Sequence, residues 1–371
     1  MKAVYYRRDI FPPDILDWKA LIPLIGPANA AIAKYEGVVQ SIPNPDVLLS
    51  PLTMQEAVLS SRIEGTQATL GEVLEYEAKK SMEEKTPKEA DIREVLNYRS
   101  AIKEGKYLMN KLPLSLRLIK RLHQTLMQGV RGRNKAPGQF RKIQNWIGKP
   151  GCSIEEAQYV SCSVEDLEEA LKRWEAFLHA DFPDKLVQLA LIHVEFEAIH
   201  PFLDGNGRLG RLIVPLFLYD KKILQSPNFY ISEYLEKHRD EYYDRLLEVS
   251  RTGDWTGWTA YFLNAIIHQA EVNQAKATAI LKLYHEKKEW IVQKTHSQYA
   301  VYALDWFFAM PIFQSSDFVT RVNIPNPTAK RILKVVKEAG LLKELQVARG
   351  RKPAVYAFWE LLNIAEGKDA F

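Results

Sequence analysis

The feature that most restricts the fold of this chain is a succession of amphipathic segments separated by short turns. Their apolar residues recur at three- and four-residue spacing, which gathers them on one face of an α-helix. This spacing predicts helices over residues 51–64, 88–106, 114–128, 163–180, 184–199, 206–220, 233–250 and 257–290. We therefore expect a mainly α-helical protein. Residues 1–48, rich in proline and aromatic residues, are expected to form an irregular arm that leads into the first helix.

Length and composition indicate a soluble protein of several domains. A chain of 371 residues is long enough for two or three domains of about 100–200 residues each. Its 47% hydrophobic and 26% charged residues are typical of globular proteins. No segment approaches the roughly 20 apolar residues of a membrane helix, so we expect a cytoplasmic protein without membrane contact. Cys152 and Cys162 lack the spacing of a metal or redox motif and are predicted to be ordinary thiols.

The first predicted helix carries its own boundary signals. Ser50 is suited to the N-cap, Pro51 to the first helical position and Gly65 to a left-handed C-terminal stop. A different pattern follows between residues 138 and 159, where short apolar pieces are broken by glycine and proline. It predicts a hairpin or flap, with an ordinary surface loop as the alternative. Pro215 is expected to kink or end early the helix in which it lies.

The C-terminal part of the chain is locally basic. Between Arg321 and Lys352 there are nine Lys or Arg residues against two Glu, a balance of +7 that exceeds the +4 of the whole chain. A predicted helix that begins at Asn326 and ends at Gly340 precedes two short strands around the turn 348–353. This order is typical of a winged-helix domain, in which the helix enters the major groove of DNA and the wing contacts phosphate. Contact with a protein or a structural role are the alternatives.

The segment from His200 to Arg211, HPFLDGNGRLGR, combines groups that suit phosphoryl-type transfer. The turn Gly205–Gly207 precedes an apolar helical run, so its backbone N–H groups can bind phosphate oxygens at a helix N-terminus. Asp204 is a hard oxygen ligand of the kind that Mg²⁺ uses together with the phosphates of a nucleotide. His200 can accept a proton near neutral pH from an incoming hydroxyl group.

Two arginines complete this segment. Arg208 and Arg211 share one helix face, where guanidinium groups can neutralise charge on a leaving pyrophosphate. A zinc site is the alternative, because His193, Glu197 and His200 fall at i, i+4 and i+7 of one helix. That alternative leaves the glycine turn and both arginines without a role.

The same segment resembles the signature of the Fic family, His-x-Phe-x-Asp-Gly-Asn-Gly-Arg-x-x-Arg, at all eight specified positions. The resemblance extends from EFEAIHPF before the loop to EKHRDEYYDRL after it. It implies a Fic-type helical core with a small β-hairpin flap and a C-terminal winged-helix domain. The implied domains are an N-terminal arm and inhibitory helix (1–85), the catalytic core (86–290) and the winged helix (291–371).

The resemblance also implies an activity, the transfer of AMP from ATP to a Ser, Thr or Tyr side chain of a protein with release of pyrophosphate. His200 is then the base and Asp204 holds Mg²⁺. The implied ATP- and phosphate-binding residues are Gly205, Asn206, Gly207, Arg208, Leu209, Gly210 and Arg211. The residues implied near the adenine are Tyr242, Tyr243 and Ser250. The implied flap residues are Ile147, Gly148, Tyr159 and Val160, which would add the target's backbone as a strand and align its hydroxyl with His200.

Ser60-x-x-x-Glu64-Gly65 resembles the inhibitory motif of the same family. Glu64 lies near the C-terminal end of the predicted first helix, where the helix dipole disfavours a carboxylate unless a cation is nearby. The resemblance implies that this cation is Arg211. The alternative is an ordinary solvated glutamate.

Other functions stay open from the sequence. The same site could remove AMP, or transfer another nucleotide or a phosphocholine group. The chain could instead act as a DNA-binding regulator or a toxin–antitoxin component. The expected partners are ATP, a target protein along the flap, the protein itself through self-modification, and DNA through the winged helix. The sequence does not fix the oligomeric state, and a homodimer stays open.

Overall fold

The fold is mainly helical, as the spacing of apolar residues predicts. The computed structural model describes residues 3–79, 87–129, 135–149, 151–350 and 352–369. Within these ranges the α-helices are α1 (Trp18–Ser41), α2 (Pro45–Leu48), α3 (Ser50–Ile63), α4 (Leu70–Lys79), α5 (Pro87–Met109), α6 (Leu116–Leu126), α7 (Val164–His179), α8 (Lys185–Ile199), α9 (Asn206–Asp220), α10 (Ser232–Lys237), α11 (Arg239–Thr252), α12 (Trp255–Thr295), α13 (Ala300–Ala309), α14 (Ser315–Arg321), α15 (Asn326–Glu338) and α16 (Trp359–Glu366).

Short strands form two small sheets. The strands are β1 (Val4–Tyr5), β2 (Trp146–Ile147), β3 (Tyr159–Val160), β4 (Ile312–Gln314), β5 (Lys343–Gln346) and β6 (Val355–Ala357). One sheet has the order β1-β3-β2 and the other the order β4-β6-β5. Among the described helices, none combines the length and the hydrophobicity that crossing a membrane requires.

The first 48 residues are more regular than the sequence suggested. The stretch expected to be an irregular arm contains α1, a helix of 24 residues. Its buried residues Leu21, Ala28 and Ile32 recur at helical spacing. Burial of this apolar stripe stabilises the helix more than the two internal prolines destabilise it. The prediction of an irregular arm was therefore wrong for most of its length.

Several helix boundaries also differ from the prediction. Ser50 is the first residue of α3 instead of its N-cap, because α2 ends only two residues earlier. The segment expected to be one helix over 233–250 is divided into α10 and α11 at His238. Gly65 does have the left-handed backbone predicted for a helix stop, with a φ of 99°.

The described chain divides into two compact units. The first comprises Met1–Glu36, Leu59–Thr66 and Leu96–Glu271, and the second comprises Gly37–Val58, Gln67–Val95 and Val272–Phe371. The core of the first unit is built around α8 and α9, which pack against each other. Both helices are apolar on nearly every side, as expected for helices enclosed by others.

The start of α8 and the course of α9 follow from local chemistry. Asp184 caps α8, because its carboxylate accepts hydrogen bonds of 2.9 Å from the backbone N–H groups of Leu186 and Val187. Pro215 lies inside α9, which nevertheless continues to Asp220. The early break expected at this proline does not occur, since the flanking residues are buried in the core.

In the second unit, α15 precedes the hairpin of β5 and β6. Residues Ala329, Ile332 and Val336 of α15 are buried, while its lysines are exposed. Gly340 follows with a φ of 78°, as predicted for the helix end. The helix-then-hairpin order agrees with the sequence prediction. Contact with DNA stays a prediction, and Arg351 of the turn between β5 and β6 lies outside the described residues.

Candidate active site

The loop between α8 and α9 is held by the side chain of Asn206. Its Oδ1 accepts a hydrogen bond from the N–H of Phe202, and its Nδ2 donates to the carbonyl of Phe202, both at 2.8 Å. Phe202 is fully buried and stacks on His123, with ring centroids 3.8 Å apart. The side chain of Asn206 thus fixes the conformation of the loop. These two hydrogen bonds do not use the backbone N–H group of Asn206.

His123, on α6, is a second support of the loop that sequence reasoning missed. Its Nδ1 accepts a hydrogen bond from the N–H of Gly138 at 2.8 Å, so Nε2 carries the proton and donates to the carbonyl of Asp204 at 2.9 Å. Burial lowers the pKa of His123 to about 4, which keeps the ring neutral. A lone histidine on the apolar face of a helix was the only sequence signal.

His200 lies at the point where α8 ends. Its backbone is left-handed, with a φ of 51° and a ψ of 60°. Its Nδ1 lies 3.2 Å from the carbonyl oxygen of Glu197. Because a carbonyl can only accept a hydrogen bond, Nδ1 carries the proton and Nε2 is the acceptor nitrogen. Burial lowers the pKa of His200 to about 4, so the imidazole is neutral at physiological pH.

Asp204 is the acidic residue of the loop. Its side chain is 43% exposed and lies 3.6 Å from Arg208, measured from Oδ1 to the guanidinium. The same oxygen accepts a hydrogen bond of 2.6 Å from the N–H of Gly205. In the described part of the chain, no three His, Cys, Asp or Glu side chains converge as a metal site. One partly exposed carboxylate beside the Gly205–Gly207 turn still fits Mg²⁺, which can take its remaining ligands from phosphate and water.

Arg211, which is buried, forms an ion pair with the partly exposed Glu64. Its guanidinium lies 2.6 Å from Glu64 Oε1 and also donates to the hydroxyl and the carbonyl of Ser60, at 3.0 and 2.8 Å. The Arg211 side chain is 1% exposed and that of Glu64 is 33% exposed. Burial opposes ionisation of Glu64, but attraction to Arg211 outweighs it and holds the Glu64 pKa below its usual value.

Gly207 explains how the carboxylate comes so close to α9. A Cβ at this position would collide with Glu64 Oε1 and would lie 3.1 Å from the guanidinium of Arg211. The first turn of a helix offers backbone N–H groups that have no partner within the helix. The Glu64 carboxylate therefore lies beside the N-terminal end of α9, a position that favours an anion.

The remaining residues of the loop lie mainly in the core. Arg208 is 4% exposed and Leu209 is fully buried. A Cβ on Gly210 would collide with the carboxylate of Glu197, so this glycine permits the close packing of α8 on α9. Burial raises the pKa of Glu197 to about 8, although Arg211 lowers it. Gly65 follows Glu64 at the left-handed end of α3.

Histidine 193 does not take part in a zinc site with its neighbours. Both ring nitrogens of His193 are engaged, Nδ1 with the carbonyl of Gly210 at 3.2 Å and Nε2 with the hydroxyl of Tyr242 at 2.8 Å. Burial lowers the pKa of His193 to about 3. His193 therefore forms hydrogen bonds within the core of the first unit.

The flap is the hairpin of β2 and β3, in which Ile147 pairs with Tyr159 and Trp146 with Val160. Trp146 and Ile147 are 40% and 43% exposed, whereas both residues of β3 are buried. Gly148 follows β2, where a Cβ would collide with the thiol of Cys152. The predicted hairpin is therefore present.

Arg141 connects the flap to the loop and was not predicted from the sequence. Its guanidinium donates to the carbonyls of His200 at 2.9 Å and Ile199 at 3.3 Å, and also to the carbonyl of Cys162 just beyond β3. Asn145 adds a hydrogen bond of 2.9 Å to the carbonyl of Phe202. No local sequence motif predicts the contacts of Arg141 and Asn145 with the loop, because they join segments about 60 residues apart.

A cavity of about 1070 Å³ in the first unit brings nine of the predicted site residues together, whereas Asp204 and the remaining loop residues do not line it. The predicted site residues that line it are His200, Gly207, Arg211, Glu64, Tyr242, Tyr243, Ser250, Ile147 and Tyr159. Tyr243 is 39% exposed, whereas Tyr242 is almost fully buried. Cavities of roughly 300–1,000 Å³ are typical of small-molecule sites, so this one is large enough for a nucleoside triphosphate.

Known proteins resemble this chain in sequence and in fold. The protein adenylyltransferases Fic of Culex quinquefasciatus and Aedes aegypti are 30% and 33% identical over 124 residues. The match covers 32% of this chain and 21% of each relative, so the chain spans about a fifth of their length. A Fic family protein from Desulfovibrio desulfuricans has a TM-score of 0.60 at 19% identity, covering 94% of this chain and 97% of that one. Fic-1 from C. elegans has a TM-score of 0.53 at 17% identity, covering 72% and 75%.

Two family descriptions match the chain one after the other. The Fic/DOC family N-terminal region matches residues 22–106, and the Fic/DOC family itself matches residues 113–218. The second match includes the loop, the flap, α8 and all but the last two residues of α9, and the two matches together cover just over half of the chain. This chain belongs to the Fic/DOC family.

Proposed function

We propose that this protein transfers AMP from ATP to a hydroxyl side chain of a protein and that Glu64 inhibits the transfer. The observation that carries the proposal is the cavity in which His200, the start of α9 and Arg211 face one another beside the flap. Relatives that match about a third of the chain are named protein adenylyltransferases, which supports the same reaction here.

The proposed chemistry assigns each group one step. The flap aligns the target segment, and Nε2 of His200 accepts the proton of its hydroxyl group. The hydroxyl oxygen attacks the α-phosphorus of ATP, the bond from this phosphorus to the bridging oxygen breaks, and pyrophosphate leaves. Backbone N–H groups at the start of α9 and the guanidinium of Arg211 stabilise the negative charge on the phosphates. Asp204 would hold Mg²⁺, which neutralises phosphate charge when it is bound.

The proposed inhibition follows from competition for one guanidinium. Arg211 already has a partner in Glu64, at 2.6 Å. A γ-phosphate that needs the same group must displace the carboxylate or bind elsewhere. In the second case the α-phosphate is misaligned with His200, and the transfer is slow.

Labelled ATP tests the reaction directly. Label on the α-phosphate should appear on protein, including the enzyme itself, and label on the γ-phosphate should not. Intact-mass measurement should show the addition of one AMP group. Replacing His200 by alanine should abolish labelling, whereas the same change at His268, an exposed histidine of α12, should not.

Two results would point to other functions of the site. Labelling from another nucleotide, or addition of phosphocholine, without labelling from ATP would make the protein a different Fic-type transferase. Release of AMP from modified protein without its addition would make removal the main reaction.

Labelling that persists in the His200→Ala variant would remove His200 from the mechanism.

A further inference from the structure

We propose that β1 forms a wall of the nucleotide cavity and that Val4 contacts the nucleoside, so that this strand helps to select the base. The inference rests on the proposed function. The family signature does not include this segment, which lies about 200 residues before the loop.

The first observation is the strand pairing. β1 runs parallel to β3, with Val4 opposite Tyr159 and Tyr5 opposite Val160. Hydrogen bonds of 3.0 and 2.9 Å join the N–H groups of Val4 and Tyr6 to the carbonyls of Gln158 and Val160. The flap hairpin thus becomes a three-stranded sheet whose central strand is β3.

The register decides which side chains face the cavity. Residues directly opposite each other on neighbouring strands point to the same face of a sheet. Val4, Tyr159 and Ile147 therefore form one row across the three strands, and all three line the cavity that contains His200. Tyr5 belongs to the other row and is 56% exposed.

The second observation is the position of this row within the cavity. The phosphates of ATP must lie near His200, Gly207 and Arg211, where the reaction takes place. The nucleoside then occupies the remaining part of the cavity, which is lined by α11. β1 packs against α11, and Tyr159, the neighbour of Val4, accepts a hydrogen bond of 3.4 Å from Ser250 of that helix. Val4 therefore lies at the nucleoside end.

The third observation is that β1 is firmly anchored. The hydroxyl of Tyr6 donates a hydrogen bond of 2.6 Å to Glu195, a buried residue of α8. Arg8 forms ion pairs of 2.7 and 2.9 Å with Asp166 and Glu169 of α7. These contacts fix the strand relative to both helices, so Val4 presents a fixed surface to a bound base.

Calorimetric titration of the full chain can test this assignment. The ligands are the ATP and GTP analogues with a methylene group between the α- and β-phosphorus, which cannot release pyrophosphate, and inorganic triphosphate, which has no nucleoside. We expect Val4→Trp to weaken binding of the ATP analogue at least tenfold and to leave triphosphate binding unchanged. Val4→Ala should change the ratio of the affinities for the ATP and GTP analogues. Tyr5→Trp, on the opposite face, is the matched control and should alter neither.

Each outcome has a separate meaning. If the wild-type protein does not bind the ATP analogue, the proposed function fails. If the wild type binds it and both Val4 variants bind both nucleotides as the wild type does, the inference about β1 is overturned. An equal loss of affinity for triphosphate and nucleotide would also overturn it, because Val4 would then act on the whole site. If Val4→Trp does not fold, the affinity ratio measured for Val4→Ala, which only shortens the side chain, tests the inference.

Discussion

Replacement of Glu64 by glycine should raise the rate of AMP transfer. The substitution removes the carboxylate that pairs with Arg211 and leaves the loop from His200 to Arg211 unchanged. Arg211 keeps its two contacts to Ser60, so its guanidinium stays oriented toward the cavity. The γ-phosphate of ATP can then take the position of the carboxylate.

The expected rise in rate can be calculated from the free energy that the Glu64–Arg211 ion pair contributes. A hydrogen bond to a charged group contributes about 1.5–3 kcal/mol. Glu64 is 33% exposed, so solvent screening places the pair in the lower half of that range. Since each ~1.4 kcal/mol is a factor of ten, the rate should rise about 10- to 50-fold. Glu64→Gln keeps a neutral hydrogen bond and should give a smaller rise.

The assay is the initial rate of AMP incorporation from α-labelled ATP at a fixed concentration of target or of the enzyme itself. A matched control is Glu72→Gln, because Glu72 is 34% exposed and forms an ion pair of 2.7 Å with Lys88 in the second unit. This control should transfer AMP at the wild-type rate. In the double variant Glu64→Gly/Arg211→Ala the gain should disappear. Equal rates for wild type and Glu64→Gly would refute the inhibitory role while leaving the catalytic assignment intact.

Three further predictions follow from other contacts. In the Glu64→Gly background, the rate should stay nearly constant from pH 8 to pH 5, because burial lowers the pKa of His200 to about 4 and loss of the Glu64 charge, which raises it, lowers it further; an inflection near pH 6.5 would contradict this. Gly210→Ala should lower the free energy of unfolding in urea by about 1–3 kcal/mol through collision with Glu197, whereas Gly26→Ala, with open space around it, should not. The full chain should bind duplex DNA with an affinity that falls steeply with salt and is weakened by Lys330→Glu; no binding at low salt would favour a protein partner instead.

The sequence predicted those features that depend on neighbouring residues. The order of helices followed from apolar spacing, and the start of α9 followed from the Gly205-Asn206-Gly207 sequence. The meeting of Glu64 with Arg211 was predicted only through the family resemblance, because 147 residues separate them.

Long-range contacts account for what the sequence did not predict. Arg141 and His123 hold the loop through carbonyl groups, and every residue has a carbonyl, so no side-chain pattern marks the partner. β1 is only two residues long, too short for an alternation of apolar and polar residues to be recognised. Its proposed role depends on pairing with a strand more than 150 residues away.

The left-handed backbone of His200 affects the entropy of the proposed reaction. A non-glycine residue in this conformation is strained by about 1–3 kcal/mol, and a free chain would rarely adopt it. Arg141 holds the His200 carbonyl, and Glu197 holds its Nδ1, so both backbone and ring are ordered before any substrate binds. The conformational entropy of the base is therefore lost during folding and does not add to the activation barrier of each turnover.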